Sequence, residues 1–148
     1  MAFIPQTRVR LHPETFAITA VTHGRRLFQR TDMAELFIAT ISRYRSQNRF
    51  LLHAFVVMPD HIHILVTPAP DHTIERCVAL VKGGFSFAAR KQTTGEIWQD
   101  SYHAHHITSP EDYANQLQYI ANNPSRKSNP DHPHVHTHHP HLLDPRPT

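Results

Sequence analysis

Residues 50–68 read FLLHAFVVMPDHIHILVTP. Two β-rich runs, Phe50 to Met58 and His61 to Thr67, flank Pro59-Asp60, and a Pro-Asp pair between such runs suits a tight turn. The segment therefore predicts an antiparallel hairpin. In its second strand His61 and His63 stand two residues apart, so both imidazoles project from one face while Ile62 points to the other.

Upstream of the hairpin, Thr15 to Thr22 (TFAITAVT) reads as a strand, followed by a basic loop with Arg25, Arg26 and Arg30. Thr31 or Asp32 then fits a helix cap, and Leu36, Phe37, Thr40, Ile41 and Tyr44 give one apolar helical face up to about Gln47. Downstream, Asp71 or Thr73 fits the cap of a second helix through about Lys91. Ile74, Val78, Val81, Phe85 and Phe87 are its apolar candidates, with Gly83-Gly84 expected to weaken or bend it. Ile97 to Ile107 follows as an irregular strand region. Ser109-Pro110 with Glu111-Asp112 then starts a last helix: a cap, a first-turn proline, and acids at the positive end of the dipole. That helix is expected to stop at about Asn123, before Pro124.

The order β-α-β-β-α-β-α predicts an α+β fold. It is a ferredoxin-like antiparallel sheet (βαββαβ) with helices on one face and an additional C-terminal helix carrying Tyr119. Residues 1–129 are read as one domain. Residues 130–148, dense in His and Pro, are read as a disordered or loosely docked tail whose histidines bind transition ions only incidentally.

At 148 residues, 39% of them hydrophobic, the chain suffices for one core of ordinary size. It has no run near the roughly 18 apolar residues of a membrane helix, and Met1 to Arg10 lacks the apolar stretch of a secretory signal. No membrane association is expected, and the expected location is cytoplasmic, with the nucleoid. Cys77, the single cysteine, excludes an internal disulfide and a cysteine-built zinc cage, and is read as a small buried hydrophobe. The net charge is only +3, but twelve of the fifteen cations are Arg, whose planar fork suits phosphate.

In the last helix Tyr119 and Asn123 lie four residues apart, on one face. If that face covers the His strand, Asn123 supplies a third ligand beside His61 and His63, and Tyr119 points its phenol at whatever a metal there would hold. The plainer alternatives are two hydrogen-bonded histidines and a core tyrosine, since Leu117 and Ile120 give the same helix a core face. Tyr44 sits on an apolar stripe, Tyr102 in the aromatic strand region, and Tyr113 has no ligand partner at helical spacing. Tyr119 is therefore the tyrosine best placed for chemistry.

FVVMPDHIHILVTP (55–68), IWQDSYHAHHITSPEDYANQLQYIANNP (97–124) and YIANNPSRK (119–127), in this order, resemble the HUH single-tyrosine transposases, most closely their REP-associated branch. The resemblance runs from about Thr15 to Lys127. It implies metal ligation by His61 and His63, a polar third ligand at Asn123, and nucleophilic attack by Tyr119. The implied reaction is metal-dependent cleavage and rejoining of single-stranded DNA through a 5′-phosphotyrosine, with a free 3′-hydroxyl leaving. Mg²⁺ is the expected ion, with Mn²⁺ also supporting activity. The expected partner is single-stranded or hairpin DNA, with repeated extragenic palindromes as candidates, bound by a monomer in preference to a homodimer. Arg25, Arg26, Lys82, Arg90, Lys91, Arg126 and Lys127 are candidates to line a phosphate-tracking groove, and Trp98 or Tyr102 to stack on a base or anchor the core. The sequence departs from the family at Thr108-Ser109, where relatives often carry Arg-Asp or Arg-Asn. Two other readings stay open: a domesticated, non-cleaving hairpin-binding protein, and a hydrolase using metal-bound hydroxide.

Overall fold

A computed structural model of the chain describes residues 13–126 and 142–147, and of residues 123–126 only the backbone. Strand β1 (Phe16–Val21) leads through a short 3₁₀ turn (Leu27–Gln29) into α1 (Thr31–Ser46). The hairpin β2 (Phe50–Met58) and β3 (His61–Pro68) follows, then α2 (Ile74–Ala88), β4 (His103–His106) and α3 (Pro110–Arg126). The four strands form one sheet in the order β2-β3-β1-β4, and every neighbouring pair is antiparallel. This is the ferredoxin-like arrangement expected from the element order, with α3 as the added helix.

The two faces of the sheet are covered by different helices. Ile18 and Ala20 of β1, Ile62, Ile64 and Val66 of β3, and Phe55 and Val57 of β2 pack with α1 and α2 in the main core. At its centre Phe28, Phe37, Phe85 and Trp98 meet ring to ring, with centroids 5.4–6.2 Å apart. The alternate residues, Ala17 of β1, Leu65 of β3, and Ala54, Val56 and Met58 of β2, face α3 and pack on its Tyr113, Leu117 and Ile120. Because both faces are covered, β2 is buried along nearly its whole length. The register slips between Leu52 and Ala54, and the parity of β2 changes there. Phe50 and Leu52 face the main core before the slip, and Phe55 and Val57 after it. His53 is the extra residue.

Several local expectations are corrected. Neither Thr31 nor Asp32 caps α1; the N-cap is Arg30, which makes no side-chain cap bond, and Asp32 accepts from the Met33 amide inside the first turn. Of the two candidates for α2, Thr73 is the cap, accepting from the Arg76 amide at 3.1 Å. The Gly83-Gly84 pair does not interrupt α2. A Cβ at Gly84 would run into the ring of Tyr44, with Cε2 at 2.8 Å, so the glycine lets α1 and α2 approach closely. Phe87 is not a core residue but two-thirds exposed, with the Arg90 guanidinium 3.8 Å from its ring centroid. The expected strand over 97–107 contracts to four residues; upstream of them Trp98 makes an isolated bridge to Thr22 and packs its side chain in the main core. Helix α3 continues through Pro124, which has no amide to donate to the Ile120 carbonyl one turn back but sits in the last turn, where little helix remains to be disrupted.

At the end of the chain the tail is expected to be disordered or loosely docked. Of the predicted tail, residues 142–147 are described, and they dock on the edge strand β2; residues 130–141 and 148 lie outside the described residues. The Asp144 carboxylate accepts two bonds from Arg45, both 2.9 Å, and one from the Leu52 amide, also 2.9 Å. Its own amide donates to Leu52 O at 2.6 Å, and its carbonyl accepts from His53 Nδ1 at 2.9 Å. Leu143 packs against the main core, and Arg146 lies over the Tyr113 ring. Both backbone groups of Leu52, on the edge strand, are thereby satisfied.

Candidate functional site

Strand alternation puts His61 and His63 on the α3 side of the sheet, opposite Ile62 and Ile64. Their ring centroids are 4.9 Å apart and nearly perpendicular. Each ring is held at Nδ1. His61 Nδ1 donates to Asp60 Oδ1 at 2.7 Å, and His63 Nδ1 shares a 2.7 Å hydrogen bond with Thr19 Oγ1 of the paired strand. The bond from His61 holds the Asp60 carboxyl below the usual carboxylate range against an opposing effect of burial, and the nearby charge of Arg26 adds to the lowering. The hairpin turn itself is fixed from β1's end, where the amide and hydroxyl of Thr22 both donate to Asp60 O at 2.9 and 3.0 Å.

Tyr119 comes to this pair from α3. Ser109 starts that helix, its Oγ accepting from the Asp112 amide and its carbonyl from the Tyr113 amide. Tyr113 and Ile120 are buried against the sheet, which leaves Tyr119 half-exposed at the margin of the contact, its ring 5.6 Å from that of His63 and edge-on to it. The expected meeting of tyrosine helix and His strand is present. Asn123, the expected third ligand, lies one helical turn beyond Tyr119 on α3, and its side chain is outside the described residues. Among the described residues no third His, Cys, Asp or Glu joins the two histidines in a metal-binding cluster.

Tyr119 and His63 border a cleft of about 690 Å³ between α3 and the sheet. Thr19, His103 and His105 supply its sheet side, and Asn115, Gln116, Gln118 and Asn122 its helix side. Sequence reading did not find this wall. His105 Nε2 donates to both oxygens of Asp112, each at 2.9 Å, and this bond is the main cause of Asp112's lowered pKa. Only the pairing of β4 with β1 brings His103 and His105 beside Thr19 and Ala17, and nothing in the local pattern encodes that register. Asp60 carried a weak signal, a carboxylate adjacent in sequence to a candidate ligand, but its turn-forming role masked it.

The expected phosphate contacts are dispersed. Arg25 serves the fold, donating to Thr93 Oγ1 and Glu96 O, both at 2.9 Å. Arg26 is exposed near Asp60. Lys82 donates to Gln99 O at 2.8 Å, and partial burial lowers its pKa. Arg90 donates to Phe87 O while lying over the Phe87 ring, and Lys91 is exposed just beyond α2. Lys82, Arg90 and Lys91 thus belong to the α2 layer, across the sheet from Tyr119. The side chain of Arg126 and all of Lys127 lie outside the described residues. Trp98 is a core anchor, 7% exposed, its indole N–H donating to Lys82 O. Tyr44 and Tyr102 pack on the main core, and Tyr113 is buried under α3 with its pKa raised by that burial.

The ferredoxin-like sheet thus presents a His pair toward the helix that carries Tyr119. Residues 14–123 match the IS200-like transposase family, and the chain belongs to it. Among individual relatives, the REP-associated tyrosine transposase of Escherichia coli (strain K12) is 27% identical over 111 residues, 74% of this chain and 66% of that protein. The chain thus spans just under two-thirds of that relative's length. The solved structure of a REP-associated tyrosine transposase bound to a REP hairpin has the same fold. Its TM-score is 0.67 at 23% identity, covering 87% of this chain and 76% of that one. A candidate transposase from Deinococcus radiodurans R1 gives a TM-score of 0.55 at 24% identity, over 82% of this chain and 97% of that one. Among the described residues no helix is long and apolar enough to cross a membrane.

Proposed function

We infer that this chain is a metal-dependent DNA strand-cleaving and strand-joining enzyme that acts on single-stranded DNA beside a hairpin, with Tyr119 as its nucleophile. The observation that carries this reading is the edge-on placement of the Tyr119 ring 5.6 Å from that of His63, where both line a cleft of about 690 Å³. Membership of the IS200-like family supports the transposase class. The hairpin in the solved relative supports the partner, and a repeated extragenic palindrome is the first DNA to try.

The donor set suits a divalent ion. Two imidazoles share one face, and each is tied at Nδ1 to an oxygen, the arrangement that orients Nε2 for ligation and strengthens it as a donor. His61 and His63 would hold the ion, with Asn123 as third ligand. Mg²⁺ is the expected ion, and the imidazole pair also accepts Mn²⁺. When bound, the ion polarises the phosphate oxygens and neutralises their charge. The protein's residues do the rest. The half-exposed Tyr119 phenol attacks phosphorus, and a 5′-phosphotyrosine forms as the 3′-oxygen departs. Attack by another 3′-hydroxyl reverses the step, and because the bond energy is conserved in the adduct, no external energy source enters. Arg26, whose charge acts on Asp60 beside His61, is the first candidate for a phosphate contact among the described residues.

The test is incubation of the purified protein with end-labelled single-stranded hairpin DNA and Mg²⁺ or Mn²⁺, followed by denaturing electrophoresis. The expected result is a covalent band that requires metal and disappears in Tyr119→Phe and His61→Ala. Cleavage that survives Tyr119→Phe would shift the mechanism to a metal-bound hydroxide. Binding without cleavage would make the protein a hairpin-binding module.

A further inference from the structure

Three histidines line the cleft that Tyr119 enters, and two have a ring nitrogen already engaged, His63 with Thr19 and His105 with Asp112. His103 is the third. It is exposed, and among the described residues its ring has no hydrogen-bond or ion-pair partner. In register it faces Thr19, which on its other side faces His63, so His63, Thr19 and His103 form one row across three strands of the cleft floor. His105 stands two residues further along β4 and is anchored to Asp112, which precedes Tyr119 by seven residues or about 10 Å of helix. His103 is therefore the one in register with His63, and the less committed of the two.

Displacement at phosphorus places the entering and leaving oxygens roughly in line, on opposite sides. Tyr119 reaches the cleft from α3 and His103 from the edge strand of the sheet, so the two side chains come from different walls. Imidazole both gives and takes a proton near neutrality.

We propose that His103 is the general acid and base for the 3′-oxygen, a role that rests on the strand-transfer reading above. As the Tyr119 oxygen bonds to phosphorus, its phenolic proton passes to solvent water. The P–O3′ bond breaks with its electron pair staying on O3′, and the His103 imidazolium gives that oxygen a proton, leaving a 3′-hydroxyl and a neutral imidazole. On rejoining, neutral His103 takes the proton of the incoming 3′-hydroxyl as that oxygen bonds to phosphorus. The bond from phosphorus to Tyr119 then breaks, and water reprotonates the phenolate.

The test uses two hairpin substrates that differ only in the bridging 3′ atom of the scissile linkage, oxygen or sulfur, because a thiolate leaves without a proton. His103→Ala and His103→Gln should slow cleavage of the oxygen substrate about 100-fold or more, yet cleave the sulfur substrate within about threefold of wild type. Both variants should melt with the wild type, since the side chain is exposed. An equal loss on both substrates means binding or positioning and overturns the proposal, as does no loss on oxygen. Tyr119→Phe should be inactive on both. A wild type that forms no adduct with either removes the strand-transfer reading and the proposal with it, whereas an active wild type with a normal His103→Ala removes the proposal alone.

Discussion

One face of the sheet, under α1 and α2, is closed by interlocking rings of Phe28, Phe37, Phe85 and Trp98. The other, under α3, has a smaller apolar cluster of Ala54, Val56, Met58, Leu65, Tyr113 and Ile120, and beyond it a cleft lined by histidines and amides. The same strands serve both faces by alternation: Ile62 and Ile64 belong to the first, His61 and His63 to the second. Stability is concentrated on one side, which leaves the other free to carry polar groups that a well-packed core would exclude.

Truncations on the two faces measure that division. Phe85→Ala, at a fully buried position in the main core, should lower stability by about 3–5 kcal/mol. Ile120→Ala should cost about 2–4 kcal/mol, since the smaller cluster is better able to collapse around the loss. Urea unfolding gives both values. Ile120→Ala should also slow adduct formation per folded molecule, because it loosens the helix that holds Tyr119, and Phe85→Ala should not. Equal loss of activity per folded molecule in the two would break the comparison.

The docked C-terminal residues sharpen it at the sheet edge. Asp144→Ala removes the paired bonds to Arg45 and the bond from the Leu52 amide, and should cost roughly 1–3 kcal/mol in the same unfolding assay. An unchanged urea midpoint would mean that residues 142–147 contribute nothing to the fold.

His53 links that edge to pH. Burial depresses its pKa, while its ring contacts Asp144 O, Thr67 Oγ1 and the edge of Tyr113, with the Asp144 charge working against the shift. The folded state holds His53 neutral, and the unfolded chain protonates it near pH 6.5. Its contribution to stability is therefore present above about pH 6.5 and declines as pH falls below that toward the lower folded value. Urea midpoints at pH 7.5 and 5.5 should show this decline, and His53→Gln should flatten it.

How much could be read beforehand follows the same division. The hairpin was legible because β-branched runs and a Pro-Asp turn are local signals, and its observed strands fall within a residue of those expected. The faces were legible too, because periods of two and near four set His61 beside His63 and Tyr119 beside Asn123 without knowledge of the fold, whereas the meeting of the tyrosine helix with the His strand was only conditional on those periods and was implied by the family resemblance. What depended on distant register was not. His103 and His105 enter the cleft through pairing with β1, and Asp144 matters only because Arg45 and Leu52 converge on it from 99 and 92 residues away. Composition left the tail open between disorder and loose docking, and it did not single out Leu143, Asp144 and Arg146 as the residues that hold 142–147. The phosphate contacts were read from charge alone, which does not report whether a guanidinium is already engaged, as that of Arg25 is.

The most direct test of the account is to digest the covalent DNA adduct with nuclease and protease and locate the residual nucleotide by mass spectrometry. The account predicts a 5′-linked nucleotide on the peptide that carries Tyr119. A nucleotide on the peptide of Tyr44, Tyr102 or Tyr113, or a 3′ linkage at Tyr119, would contradict it.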